Sequence, residues 1–437
     1  MVPSTLAGRV AVLLLLSICA YLPALRLPFI ADDYGQISLA RDYTASGWEP
    51  LLHKPTLRTR ATYMLLSAGL DRVFGFKPMP FYAASILLHA LCVLLLYALS
   101  IWRPIGRSAA FLAACFFAVH EGHQEAVLWL AAAHNLIVFV FGMAALVSWV
   151  KWLESRRRLW YAVALASILI AAASQEMFWV FVFLMLVVTI HARRKRDMIP
   201  ALVGFSPFLG LSFVYLVSMW MTYVGPGARM DGRFVISGAA WLAVAANSVW
   251  RLLLPQGFMA LALLLWLHRR GDWYPIAFAC PWIVLGIAPH SFITYMSSIA
   301  SRDTYLASTG LALLIGAALS RLSKKIPRTA FAAICAVILL ANVEILWVKK
   351  MSQFRERAEP TELLKTAARN AVGPITVECT PVADIVVEYA LASVGSKAVF
   401  PKPENHTERC FAIEYTDRGG SPVRVDRQIG TKHGAFY

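Results

Sequence analysis

The chain has 437 residues, of which 59% are hydrophobic and only 15% charged, and it carries a formal net charge of +16. A soluble domain carries about 25% charged residues, so the composition excludes an ordinary water-soluble protein and points to a polytopic membrane protein. The positive charge does not indicate a nucleic-acid partner, because Lys and Arg concentrate in short loops between apolar runs, where they set orientation in a membrane.

Apolar runs near 8–25, 79–101, 108–120, 127–150, 159–174, 176–190, 200–221, 254–268, 274–290, 305–320 and 329–347 predict eleven membrane-spanning helices. Each is about long enough to cross a hydrocarbon core of roughly 30 Å. The first run has weak flanking charge, Arg9 alone, and a long apolar stretch, which favours an uncleaved span over a signal peptide. The loops RPIGR, KWLESRRR, HARRKRD, HRRGD and RLSKKIPR all fall on one side and together hold 16 Lys and Arg residues. The positive-inside rule makes that side cytoplasmic. The first loop (26–78), the turn HEGHQE, the segments 222–253 and 291–304, and the tail then face the other way.

In the first outer loop, Asp32 and Asp33 follow the first span in RLPFIADDYGQI. Adjacent carboxylates there are either a solvated loop start or a base. Apolar surroundings and a like charge raise a carboxyl pKa, and such a group can take a proton from a hydroxyl. Further on, HKPTLRTR places Lys54, Arg58 and Arg60 on the outer face, against the orientation bias. Cations there suit either a lipid phosphate, through charge-assisted hydrogen bonds, or an interfacial helix touching headgroups.

FAVHEGHQEAVLWL crowds His120, Glu121, His123 and Glu125 into one outer turn. Of these, His120, His123 and Glu125 are candidates for a divalent metal. The spacing matches no standard zinc motif, which favours a hydrogen-bonded turn that orients other groups. Gln175 and Glu176 sit at the outer junction of spans five and six, and Arg302, Asp303 and Tyr305 precede span ten, where caps are common. His89 and His134 read as packing residues, and Arg251 as a snorkelling cation. Five cysteines lie in apolar runs. Cys379 and Cys410 lie in the polar tail and can pair if it faces an oxidising compartment. The tail, with runs PITVEC, ADIVVEYA and RCFAIEY, reads as strands of a small α/β appendage outside the membrane. Residues 1–350 then form the membrane domain and residues 351–437 the appendage.

These stretches resemble the membrane O-mannosyltransferases that carry tetratricopeptide repeats, and their bacterial relatives, over about residues 20–320. FIADDYGQI matches their acidic pair after span one. Ser85 and His89 fall on their N-x-x-x-H run, with Ser in place of Asn. HEGHQEAVLW is similar to H-P-x-H-x-E-x-V-x-W, with Glu121 replacing Pro. SQEM is similar to S-K-E, with Gln175 replacing Lys, and SRDTYLAST to E-R-x-x-Y-L-P-S. The repeat array is missing.

The resemblance implies a GT-C glycosyltransferase: an all-α polytopic membrane protein using a polyprenyl-phosphate sugar on the extracytoplasmic side, with inversion at the anomeric carbon. It carries the base onto Asp32, with Asp33 as the alternative. It assigns the donor phosphate to Arg302 with Lys54 or Arg58, and positioning to His120, His123, Glu125, Glu176 and Tyr305. The hydroxyl acceptor is a protein, a lipid or a surface glycan. The membrane expected is the bacterial inner membrane, or that of the endoplasmic reticulum in a eukaryote. The rival readings are a lipid-linked oligosaccharide polymerase or ligase, and a lipid-sugar flippase. A flippase places ionisable groups near the bilayer midplane, whereas here they gather at one boundary.

Overall fold

The computed structural model describes residues 5–47, 60–102, 104–192, 195–223, 238–267, 273–292, 297–401 and 410–428. A helix coincides with each of the eleven apolar runs: α1 (Leu6–Tyr21), α4 (Pro78–Ala98), α5 (Arg107–Val119), α6 (His134–Ser155), α7 (Arg158–Ala172), α8 (Phe178–Ala192), α9 (Lys195–Tyr223), α11 (Gln256–Trp266), α12 (Tyr274–Ile287), α13 (Ser308–Leu322) and α14 (Arg328–Glu344). Among the described residues, five helical stretches meet the length and apolarity needed to span, and a sixth is a pair bent by 75°, α10 (Gly238–Leu253) with α11. Shorter apolar helices fill the bundle between them. The fold is therefore a mostly helical, polytopic membrane architecture.

Close helix approach comes from small residues, as expected where lipid gives no hydrophobic drive between helices. A Cβ on Gly310 of α13 would lie 2.5 Å from the Ala279 carbonyl of α12, and one on Gly286 of α12 would lie 2.7 Å from the Ala307 amide. The ends carrying the basic loops gather together: Trp102 packs on Phe278 at 4.2 Å, and the Arg321 guanidinium reaches the Leu264 carbonyl.

Three expectations need correction. The first loop is not simply a loop: it contains α2 (Asp32–Ala45) and α3 (Ala61–Phe74). The fourth span starts later than residue 127, because residues 124–132 form short helical turns at the outer end before α6 begins. ADIVVEYA is a helix, α16 (Asp384–Ala392), burying Val386, Val387, Ala390 and Leu391 on one face.

Past α14 the chain continues through a π-helical turn, Ile345–Lys350, into α15 (Met351–Asn370). The appendage adds a mixed sheet in the order β2-β1-β3-β4, with β1 (Ile375–Cys379), β2 (Ala398–Val399), β3 (Cys410–Thr416) and β4 (Pro422–Gln428). β1 is parallel to β2 and antiparallel to β3. Leu364, Ile375, Val387, Leu391 and Phe411 form its own core. Cys379 and Cys410 are disulfide-bonded across neighbouring strands, with Cα atoms 5.8 Å apart, within the usual range.

Candidate functional site

The acidic pair opens α2, where carboxylates suit the positive end of the helix dipole. Ala31, just before it, has φ 35°, a value that side chains rarely adopt. The turn sends the two carboxylates to different fates. Asp33 is fully buried; its Oδ2 accepts from the Ile30 amide at 3.1 Å and its Oδ1 from the Ala131 amide at 3.0 Å. Burial pushes its carboxyl up to about 8, against the pull of those amides. Asp33 thus ties the base of α2 to the turn before α6. Asp32 is open to solvent. Partial loss of hydration raises its pKa, and Arg302 is near enough to pull it back down.

Arg302 belongs to the short turn Ser301–Thr304, which precedes α13. Its guanidinium stacks over Trp129 at 4.9 Å and lies 4.0 Å from Glu125. Glu125 is the hub of this wall. Its Oε2 accepts from the Ser301 hydroxyl at 2.6 Å and the Arg302 amide at 3.2 Å, while its Oε1 pairs with Arg357 of α15 at 3.2 Å. Burial alone would raise the Glu125 carboxyl. The Ser301 hydroxyl and the Arg357 and Arg302 guanidiniums outweigh it and hold the group below its ordinary value. Gln124 donates to Ser301 at 3.0 Å, and Lys350 pairs with Glu121 at 3.0 Å.

Below this wall, a hydrogen-bonded relay fixes the turn. The His89 Nε2 faces the Ala118 carbonyl at 3.1 Å and so carries the proton; its Nδ1 then accepts from the Tyr305 hydroxyl at 2.8 Å. The Ser308 hydroxyl donates to the Tyr305 carbonyl at 2.7 Å, so His123 Nε2 donates to Ser308 at 2.6 Å. Burial, with His120 and His89 nearby, drives the His123 pKa well down, keeping the ring neutral. Tyr305 and His123 are fully buried. The Tyr305 amide donates to the Arg302 carbonyl at 3.4 Å, so the relay ends on the turn that carries Arg302.

A recess of about 180 Å³ adjoins Ser301. Its lining includes His120, Gln124, Arg251, Lys350 and Thr304. Arg251 also donates to Ser298 at 3.1 Å. This recess, not the larger apolar groove of about 830 Å³ between α1, α5 and α14, touches the polar cluster. On the opposite flank, Arg60 precedes α3, and Thr62 bonds to Ser174 at 2.8 Å. That contact brings the SQEM junction, with a half-buried Glu176, against the start of α3.

The structure thus brings Asp32, Arg302, Glu125, His120, His123 and Tyr305 to one end of the bundle. Lys54 and Arg58 lie outside the described residues. Among the described residues, no three His, Cys, Asp or Glu side chains gather to hold a metal ion. The proposed set of His120, His123 and Glu125 is not assembled: His123 Nε2 is engaged by Ser308, and Glu125 by Ser301, Arg302 and Arg357. Lys350 and Arg357 are the residues the sequence reading missed. Both are cations on the expected outer side of the last apolar run, against the orientation bias, the same signal that marks Lys54 and Arg58.

No family model and no curated protein matches the chain. Two solved structures are similar. ArnT from Cupriavidus metallidurans bound to undecaprenyl phosphate aligns with a TM-score of 0.52 and 14% identity, covering 91% of this chain and 86% of that one. ArnT from the same organism in the apo state aligns with a TM-score of 0.47 and 13% identity over the same shares. The chain therefore has the membrane fold seen in the lipid-bound ArnT structure.

Proposed function

We propose that the chain is an inverting membrane glycosyltransferase, moving a hexosyl or pentosyl group from a polyprenyl-phosphate donor to a hydroxyl acceptor outside the cytoplasm. The observation that carries the reading is the solvent-open Asp32 within electrostatic reach of Arg302, in a fold whose ArnT counterpart holds undecaprenyl phosphate. Residues 1–350 would form the membrane domain, set in the bacterial inner membrane, and residues 351–437 the outer appendage.

In this mechanism Asp32 takes the proton of the acceptor hydroxyl. The hydroxyl oxygen attacks the anomeric carbon from the face opposite the phosphate, so configuration inverts. The bond from that carbon to the phosphate oxygen breaks, and its electron pair leaves on the polyprenyl phosphate. Arg302 meets the growing negative charge, with Arg251 and Lys350 adding positive potential from the adjoining recess. Positioning and preorganised charge supply much of the rate in such a site. The raised pKa of Asp32 makes it a stronger base than an ordinary carboxylate.

The test is Asp32→Asn in purified protein in liposomes, assayed for transfer from polyprenyl-phosphate sugars. A loss of about 10²- to 10⁴-fold is expected, the usual worth of a general base, with donor binding kept. Full activity in the variant removes the base assignment.

A further inference from the structure

We infer that the C-terminal appendage is a wall of the active site, and that Arg357 and the Tyr34–Glu362–Lys365 cluster are positioning groups that fix the helix carrying Asp32 and the turn carrying Arg302. The inference rests on the glycosyltransferase reading for its catalytic consequence, but its structural part stands on contacts alone.

Asp32 sits on α2, which belongs to the first outer loop and not to the membrane bundle proper. Its position depends on what grips it from both sides. On the membrane side Asp33 accepts the Ala131 amide, and the Arg41–Asp71 ion pair ties α2 to α3. The other side is the appendage. Ala31, the strained residue preceding Asp32, packs on the appendage core around Leu364 and Ile375. Ala390 of α16 is fully buried in the cluster formed by Tyr34, Ile37 and Tyr43 of α2. Gly35 meets the Tyr389 ring so closely that a Cβ there would lie 3.3 Å from it. The Tyr34 hydroxyl lies 3.3 Å from Glu362 and accepts from Lys365 at 3.1 Å, with Lys365 paired to Glu362 at 2.6 Å.

The same helix that carries Glu362 and Lys365 also braces the opposite wall. Arg357 pairs with Glu125, whose other oxygen holds the Ser301 hydroxyl and the Arg302 amide. α15 is in turn anchored to the bundle through the π-helical turn: the Trp347 indole donates to the Ala20 carbonyl at 2.9 Å, and Lys350 pairs with Glu121. One continuous helix, running from the last span into the appendage, therefore touches the element carrying the proposed base and the turn carrying the proposed phosphate cation. A module that only recruited an acceptor would not need to bury Ala390 under the base-bearing helix or complete the bonding of Glu125.

The test uses the full chain in detergent or nanodiscs, with Arg357→Met, Arg357→Lys and Lys365→Met. Hydrogen exchange of the α2 amides and steady-state transfer from a polyprenyl-phosphate sugar are followed together; unchanged exchange in α6 and α13 verifies that the bundle is folded. Lys365→Met should speed exchange in α2 by about fivefold, as loss of a local tether of roughly 1 kcal/mol does. Arg357→Met should lower kcat by about tenfold or more with donor KM within about threefold, since misplacement costs rate rather than affinity. Arg357→Lys should recover part of kcat. Unchanged α2 exchange in Lys365→Met together with unchanged kcat in Arg357→Met overturns the inference. A wild-type chain with no transfer activity counts against the glycosyltransferase reading instead, and the exchange measurement still decides whether the appendage holds α2.

Discussion

The two ends of the helix bundle partner their cations differently: aromatic rings meet them at both ends, as where Arg302 stacks over Trp129, and carboxylates join them at the end away from the basic loops. At the end with the basic loops, cations rest on aromatic rings: Lys151 lies 4.0 Å over Trp160, and Arg156 lies 4.6 Å over Trp152. Such stacking anchors a side chain at an interface and leaves it in contact with water and headgroups. At the other end, cations meet carboxylates within a protein wall: Arg302 and Arg357 on Glu125, and Lys350 on Glu121. Partly dehydrated pairs of this kind are costly to assemble and more costly to break on one side only. The basic loops and the paired charges thus mark opposite ends of the bundle.

The comparison is broken most severely by removing a cation from the paired end. Arg302→Met leaves Glu125 with Ser301 and Arg357 but takes away the guanidinium beside Asp32. A loss of one preorganised donor to a developing anion costs about 10²- to 10³-fold in rate, so kcat in the liposome assay should fall by that much. The acid limb of the pH–rate profile should also move up, because Arg302 lowers the Asp32 pKa. A profile that keeps its position would detach Arg302 from Asp32.

A smaller effect is expected at Asp33, and it separates the two neighbours. Its folded pKa of about 8 lies above the ordinary carboxylate value. A group raised in this way gives its full stability below its unfolded pKa, near 3.9, and that contribution is lost as pH rises toward about 8. The wild-type unfolding midpoint should therefore fall across that window, and Asp33→Asn should flatten the fall. The variant should also lose about 1–3 kcal/mol, because one of the Ile30 and Ala131 amides is left facing an amide nitrogen. A midpoint with the same pH slope in both proteins would contradict the buried carboxyl.

Much of the bundle was legible because apolar length and loop charge are local properties. The eleven runs and the parity of the basic loops need no knowledge of contacts. The first-loop helices were not legible for a physical reason. DDYGQISLARDYTA buries one stripe, Tyr34, Ile37, Ala40 and Tyr43, but the stripe begins at a buried carboxylate and carries two tyrosines and an alanine, so its apolar contrast with the polar face is weak. ADIVVEYA was ambiguous because eight residues fit either period. The site itself was half readable. Asp32, Glu125 and Arg302 stand out as polar residues at a membrane boundary. The pairing of Arg357 with Glu125 joins residues 232 apart in sequence, and no spacing rule reaches that far.

The smallest expected effect lies at the basic end and completes the contrast. Arg156 ends α6 with φ 54°, is exposed, and stacks on Trp152. Arg156→Gln removes the charge and keeps much of the stem. An exposed cation–π contact is worth about 0.5–1 kcal/mol, and part of it survives as packing of the remaining side chain. Transfer activity should stay within about twofold and the unfolding midpoint should barely move. Arg156→Gly would relieve the positive φ while losing the stack, so the two effects should nearly cancel. A large loss of activity from either change, measured in the same liposome assay, would mean that the basic end takes part in the reaction and that charge pairing does not distinguish the two ends.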